Sequence, residues 1–208
     1  MLLVNLLCNG IKMAKPAPNP LKSLLRAEVD KRIAALTTEE KARQSKIVYD
    51  KIINHPWYKS ANRISLFMST PDEIDMMPII SHIQGRGASA FVPQYAGGVM
   101  RMLKLQADDE ETMPKTKHGI QQHSKDQIRE NAVESGGLDL IIAPGAAFTK
   151  SGDRCGHGGG YYDKFISGLR SNPETAPKVI GVAFKCQVFD EVPTNEQDQR
   201  VDEVIFAE

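Results

Sequence analysis

The sequence predicts a three-layer α/β/α fold with a largely parallel central sheet and helices at its N-terminal end. Three observations carry this. Short apolar runs such as Leu138 to Ala143 and Lys178 to Phe184 are bounded by turn residues, as strands buried on both faces are. Stretches with apolar residues at spacings of three and four stand between those runs and read as helices. Strand and helix signals alternate along the chain, which implies crossover connections and parallel pairing. At 208 residues, with 41% hydrophobic and 25% charged residues, the chain has ample core for one large domain. We place a disordered leader at residues 1–20 and a single domain at 21–208.

The leader is apolar at its start, carries no basic n-region, and has too short an apolar run (Leu2 to Cys8) to span a bilayer. Pro16, Pro18 and Pro20 make it read as an extended segment, with a targeting role, mitochondrial included, left open and Met13 an alternative start. From Leu21 a helix is expected, with Leu21, Leu24, Leu25, Val29, Ile33 and Leu36 as its apolar stripe. Lys22 and Arg26, four apart, share a face; taken alone, that face reads as solvated. Thr37 caps a second helix, which runs to about Ile53 and stops at His55-Pro56.

Arg63 to Met68 reads as a strand. The loop after it carries Glu73, either a ligand contact at a strand's carboxyl end or a helix-start acid. A helix through Met77, Ile80 and Ile83 follows, then strands from Ala88 to Pro93 and from Val99 to Leu105 around a turn at Gly97-Gly98. Gln106 to Ser135 is a polar excursion with a short helix near Asp126 to Val133. Its His118 and His123 read as surface histidines rather than a metal pair. A last strand, Val201 to Phe206, is expected at a sheet edge.

The stretch from Leu138 to Ile166 carries the chemistry. A buried strand leads into a polar loop that closes on Arg154-Cys155-Gly156-His157-Gly158-Gly159-Gly160, and a helix begins near Tyr162. Four glycines in five positions let backbone N–H groups approach a ligand at a helix N-terminus. Arg154 before them and Asp163 after them suit phosphate with a divalent cation. The P-loop is excluded, because Gly160 is followed by Tyr161-Tyr162 and not by Lys-Ser/Thr. The dinucleotide fingerprint is excluded too, because its glycines must follow the strand directly. Equal numbers of basic and acidic residues, 26 each, argue against a nucleic-acid partner. Three separated cysteines fit a reducing, cytoplasmic setting, and no spacing suits zinc.

The block Asp139 to Gly145, Phe148, and Gly152 to Asp163 resembles the signature of the 5-formyltetrahydrofolate cyclo-ligase family, also called methenyltetrahydrofolate synthetase. Lys22 to Arg26, Phe67 to Ser69, Asp72 to Ile74, and Pro193 to Val204 extend the resemblance over nearly all of residues 21–206. It implies an isomerase/CoA-transferase-like α/β fold and ATP-dependent closure of 5-formyltetrahydrofolate to 5,10-methenyltetrahydrofolate, with ADP and phosphate released. It further implies a monomer that takes two small molecules, ATP and the folate, and no membrane partner.

Carried over residue by residue, the resemblance implies ATP contacts from Lys22, Arg26 and the run Arg154, Cys155, Gly156, His157, Gly158, Gly159, Gly160, Tyr161 and Tyr162. It implies folate contacts from Met68, Glu73, His157, Gly158, Gly160 and Tyr161, and Mg²⁺ carboxylates at Asp163 and Asp198. Arg154 and Tyr161 stand nearest the chemistry. The chain departs from the family pattern at His157, commonly arginine; at Gly159, often basic; at His118, often aromatic; and at Gln197, frequently histidine. Those losses of charge leave a second reading, a catalytically weakened folate-binding regulator. A third, a sugar-phosphate isomerase or CoA transferase, rests on fold analogy alone.

Overall fold

A run of apolar residues buried on both sides needs cover on both sides, and the chain supplies it. The computed structural model describes residues 19–107, 109–116 and 119–208. The leader up to residue 18 and His118 lie outside the described residues. Among the described residues the central sheet has six strands: β1 (Arg63–Ser65), β2 (Ser89–Ala96), β3 (Val99–Lys104), β4 (Leu140–Ala143), β7 (Lys178–Ala183) and β9 (Glu203–Phe206), ordered β3-β2-β1-β4-β7-β9. All neighbours pair in parallel except β2 and β3, which form an antiparallel hairpin around Gly97-Gly98. β9 sits at the edge, as expected.

Side chains alternate across this sheet with a period of two. Leu140 and Ile142 of β4 join Ile180 and Val182 of β7 in one core, against Val29, Ile33, Val48, Ile52, Ile79 and Ile83. Those six come from α1 (Pro20–Ala34), α2 (Thr38–Asn54) and α4 (Met77–Gly85). Ile141, Ala143, Val179 and Ala183 point the other way, against Tyr162 and Ile166 of α6 (Tyr161–Arg170). Helices on both faces give the three layers.

Two expectations change here. In α1 the buried face is Lys22, Val29 and Ile33, whereas Leu21 and Leu24 are exposed. The apolar stripe therefore starts only at Leu25, and the basic pair faces inward. The expected helix from Asp126 to Val133 is absent: Lys104 N–H donates to Glu130 O and Ala132 N–H to Met102 O, so the chain lies along β3. With Ile128 93% exposed, that segment has no apolar face to bury as a helix. The described helix of the excursion is α5 (Asp109–Thr112). α3 (Pro56–Ser60), after the expected stop at His55, also escaped the sequence reading.

The loop after β4 is not loose. Its β5 (Ala147–Thr149) and β6 (Arg154–Cys155) join β8 (Val188–Phe189), which follows β7, in a second sheet ordered β6-β5-β8. Phe148 of β5 is fully buried and presses its ring on β7, where a Cβ at Gly181 would lie 2.5 Å from its Cε1. Gly181→Ala is thus expected to destabilise the protein by about 1–3 kcal/mol through overpacking. Urea unfolding would read this as a lowered midpoint with an unaltered slope; an unmoved midpoint would mean that the two sheets are not packed this tightly.

Candidate active site

Strands β1 and β4 are neighbours, but the chain leaves β1 toward β2 and leaves β4 toward β7. In open α/β sheets such a reversal opens a crevice beyond the carboxyl ends of the two strands. The elements that carry the expected phosphate, folate and metal residues come together at this reversal. The loop after β1 brings Met68 and Glu73, and the loop after β4 brings the run from Arg154 to Asp163. α1 brings Lys22 and Arg26, and the turn before β9 brings Asp198.

Polar contacts made by Lys22, Arg26 and Arg154 tie these elements together. Lys22 Nζ donates to Asp198 Oδ1 at 2.6 Å, and Asp198 Oδ2 accepts both Lys22 Nζ and the Asn195 N–H. Arg26 Nε donates to Gly156 O at 2.8 Å. Arg154 Nη2 donates to Asp163 Oδ1 at 2.6 Å, its Nη1 to Pro144 O at 3.2 Å, and the Gln199 N–H also reaches Asp163 Oδ1, at 3.0 Å. Arg154 is buried. Being on strand β6, it is held at its backbone as well as its guanidinium, and its Nε has no acceptor among the described residues. Lys22 is paired with Asp198 and Arg154 with Asp163, while Arg26 meets only the Gly156 carbonyl, so one cation beside the glycine run has no carboxylate partner among the described residues.

The glycine run forms an open cradle. Gly158 and Gly160 take φ of 103° and 65°, the left-handed region that favours glycine. Gly160 is the N-cap of α6 and offers no side chain to the helix's first N–H groups. Among the described residues, no acceptor takes the backbone N–H groups from His157 to Asp163. Orphan N–H groups at the positive end of a helix dipole, beside three cations, are suited to bind phosphate.

Other expected contacts resolve differently. The Cys155 side chain is buried in the core beneath α1–α4, with Sγ donating to Gly156 O at 3.6 Å, and burial pushes its thiol pKa up. It stays a thiol and is no nucleophile. Tyr162 is likewise buried, under α6, with its hydroxyl unpartnered among the described residues and its ring 5.8 Å from the Arg154 guanidinium carbon. Burial, with Tyr95 and Glu73 adding to it, raises its pKa well above the usual phenol range, so the group remains a hydrogen-bond donor. Met68 is buried in the loop after β1. Glu73 Oε2 accepts the Thr70 N–H and hydroxyl, each at 2.9 Å, while Oε1 lies 3.9 Å from His157 Nε2. Glu73 is therefore both a turn acid and a member of the crevice.

His157 stands at the mouth with its side chain 57% exposed. Partial desolvation lowers its pKa and the Arg154 and Arg26 charges add to that, against Glu73 and Asp30. Exposure of the ring limits the effect, but the imidazole is neutral at pH 7. Tyr95 was missed from the sequence. It comes from the carboxyl end of β2 and meets the Tyr161 ring edge-on, with centroids 4.9 Å apart. An aromatic residue at a strand end beside the reversal is the signal that would have found it. His123, expected at the surface, is fully buried. Among the described residues, no group of three or more His, Cys, Asp or Glu side chains could hold a metal ion unaided, and no helix is long and apolar enough to cross a membrane.

Comparison with known proteins gives a consistent result. A sequence model of the 5-formyltetrahydrofolate cyclo-ligase family matches residues 18–207. The chain is similar to a 5-formyltetrahydrofolate cyclo-ligase of Mus musculus, 39% identical over 199 residues that cover 94% of this chain and 98% of that protein. A probable 5-formyltetrahydrofolate cyclo-ligase of Caenorhabditis elegans is 37% identical over 190 residues, covering 89% and 92%. The NMR structure of Aquifex aeolicus 5,10-methenyltetrahydrofolate synthetase superposes with a TM-score of 0.73 at 26% identity, covering 89% of each chain.

Proposed function

The chain belongs to the 5-formyltetrahydrofolate cyclo-ligase family, and on that premise we propose how its crevice performs the family's reaction. The protein is an ATP-dependent ligase that converts 5-formyltetrahydrofolate to 5,10-methenyltetrahydrofolate. The observation that carries the site reading is the cradle of unpartnered N–H groups, His157 to Asp163, flanked by Lys22, Arg26 and buried Arg154.

The formamide oxygen is a poor leaving group, because N5 feeds electron density into the carbonyl. In the proposed sequence this oxygen attacks the γ-phosphorus of ATP and the bond to the β–γ bridging oxygen breaks, releasing ADP. The resulting carbon carries a phosphate ester and an iminium bond to N5. N10 then attacks that carbon, loses its proton, and phosphate departs with the former formyl oxygen. The protein supplies position and charge rather than a covalent nucleophile. Arg154, rigid on β6, faces the transferring group; the N–H groups from His157 to Asp163 and Arg26 hold the phosphate oxygens. Glu73, Met68 and Tyr161 are placed on the folate side, Glu73 with Oε1 directed to the polar edge of the pterin.

The residues present fit Mg²⁺. Asp163 keeps Oδ2 without a partner among the described residues, and Asp198 offers a second carboxylate oxygen once Lys22 turns to phosphate. A hard cation that is ligated mostly by phosphate oxygens needs no more than one or two carboxylates. When bound, the ion would neutralise charge on the phosphates. We take the enzyme to act as a cytoplasmic monomer, with neither nucleic acid nor membrane as a partner; elution at the monomer mass in gel filtration would agree with this, and elution as a dimer would not.

Mixing the protein with Mg-ATP and 5-formyltetrahydrofolate tests the reading through the methenyl chromophore. Product formed only with both substrates supports it; folate binding without ATP-dependent product would turn the protein into a binding regulator. His157 gives a pH signature. It is neutral at pH 8, and gains a charge facing phosphate only as pH falls below its lowered pKa. The wild type and His157→Asn are expected to share one KM for ATP at pH 8 and to diverge only as pH falls below the ordinary imidazole range, with the wild type tighter. His157→Arg should lower KM at pH 8 by about fivefold. Parallel profiles for wild type and His157→Asn would remove His157 from the phosphate side.

A further inference from the structure

The polar excursion between β3 and β4 is locked onto the site from outside, by groups that the reaction does not use. β1 pairs with β2 only as far as Ser65 and Phe91, with Leu66 N–H donating to Phe91 O. Ladder groups alternate in direction along an antiparallel strand, so beyond Phe91 the backbone groups of Pro93 and Tyr95 face an edge that β1 no longer covers. Pro93 has no N–H to leave unpaired there. At Tyr95 a side chain fills the place of a strand: its N–H donates to Gln122 Oε1 at 3.2 Å, and its carbonyl accepts Gln122 Nε2 at 3.4 Å.

The next residues are clamped as well. Gln94, 2% exposed, donates from Nε2 to His123 O at 3.3 Å and to Ser124 O at 2.7 Å. His123 is 0% exposed; its Nδ1 meets Gln127 Oε1 at 3.2 Å and its Nε2 has no hydrogen-bond partner among the described residues, lying 3.9 Å from Asp109 Oδ2. Asp109, 3% exposed, is fixed by Arg129 Nη2 at 2.7 Å. Buried polar groups of this kind cost stability, and fixing one arrangement is the best-attested reason to keep them. What they fix here is Tyr95. Its ring abuts Tyr161, which lies over Gly159 so closely that a Cβ there would be 2.7 Å from the ring.

We infer that Gln122 and Gln94 are positioning residues for the folate half of the site, acting through Tyr95 on Tyr161, with Asp109, Arg129 and His123 as their brace. This rests on the reading above that Tyr161 serves the folate. Gln122 is half-buried and its side chain makes two hydrogen bonds among the described residues, so Gln122→Ala is expected to fold normally. It should raise the Kd for 5-formyltetrahydrofolate, measured without nucleotide, by up to about tenfold, and leave the KM for ATP unchanged. Amide hydrogen exchange should quicken across residues 119–132 and not across 154–163. Tyr95→Leu should weaken folate binding, and adding Gln122→Ala to it should have little further effect, since the two act in series.

Three results would overturn the inference: an unchanged folate Kd in Gln122→Ala, an equal loss of ATP affinity, or strict additivity with Tyr95→Leu. If instead the wild type itself bound no 5-formyltetrahydrofolate, the functional reading would fail, and not the strap alone.

Discussion

Arg154→Gln is expected to lower kcat/KM by about a thousandfold or more, the scale seen when a charge that stabilises phosphoryl transfer is removed. Arg154 is buried on a short strand, pinned by Pro144 O and Asp163, and its Nε has no partner among the described residues. No other described cation is placed this rigidly beside the glycine cradle; Lys22 and Arg26 reach it from the separate helix α1. Glutamine keeps some bulk but leaves Asp163 without its cation, so folding must be measured beside turnover. Breaking a buried pair costs about 3–5 kcal/mol, and the part-exposed Asp163, which retains the Gln199 N–H, should bring that figure down. A folded variant that kept turnover within tenfold of wild type would take Arg154 out of the phosphoryl-transfer step.

Asp198→Asn is expected to lower kcat/KM for Mg-ATP by about a hundredfold, and to change how ATP and Mg²⁺ depend on each other. In the structure Lys22 is occupied by Asp198, so it can turn to phosphate only when something else neutralises that carboxylate. A divalent ion held at Asp198 would do so, and binding of nucleotide and metal is therefore expected to be cooperative. Asparagine frees Lys22, and ATP without metal should bind the variant more tightly than it binds the wild type. Titration calorimetry with and without Mg²⁺ reads this directly. Equal stimulation of ATP binding by Mg²⁺ in both proteins would show that the ion pair does not couple the two ligands.

Much of this was legible from residues alone, for identifiable reasons. Leu138 to Ala143 and Lys178 to Phe184 read as buried strands because both faces of the sheet are covered, so no polar alternation interrupts them. The convergence of Lys22, Arg26, Glu73, Arg154, Asp163 and Asp198 was implied by the family resemblance, and the fold explains it: each follows or faces the carboxyl end of a strand near the β1–β4 reversal. What could not be read was long-range. Lys22 and Arg26 looked like a solvated face because a helix shows its own periodicity and not its neighbours; Asp198, 176 residues away, is what turns Lys22 inward.

The small sheet escaped notice because β6 and β8 have two residues each, too few for any alternation. His123 looked like a surface residue because its cover comes from Gln94, Asp109 and Arg129, none adjacent in sequence. Tyr95 lay beyond the expected strand end at Pro93. That residue breaks strands in general and is tolerated here only because β1 has already stopped.

The central claim is that ATP phosphorylates the formyl oxygen in this crevice. The most direct test is a single turnover with ¹⁸O in the formyl group of 5-formyltetrahydrofolate, followed by mass analysis of the released phosphate. The account requires the inorganic phosphate to carry the label, one ¹⁸O for each methenyl product formed. Unlabelled phosphate, with the label lost to water, would contradict it and show that ATP is hydrolysed apart from the ring closure.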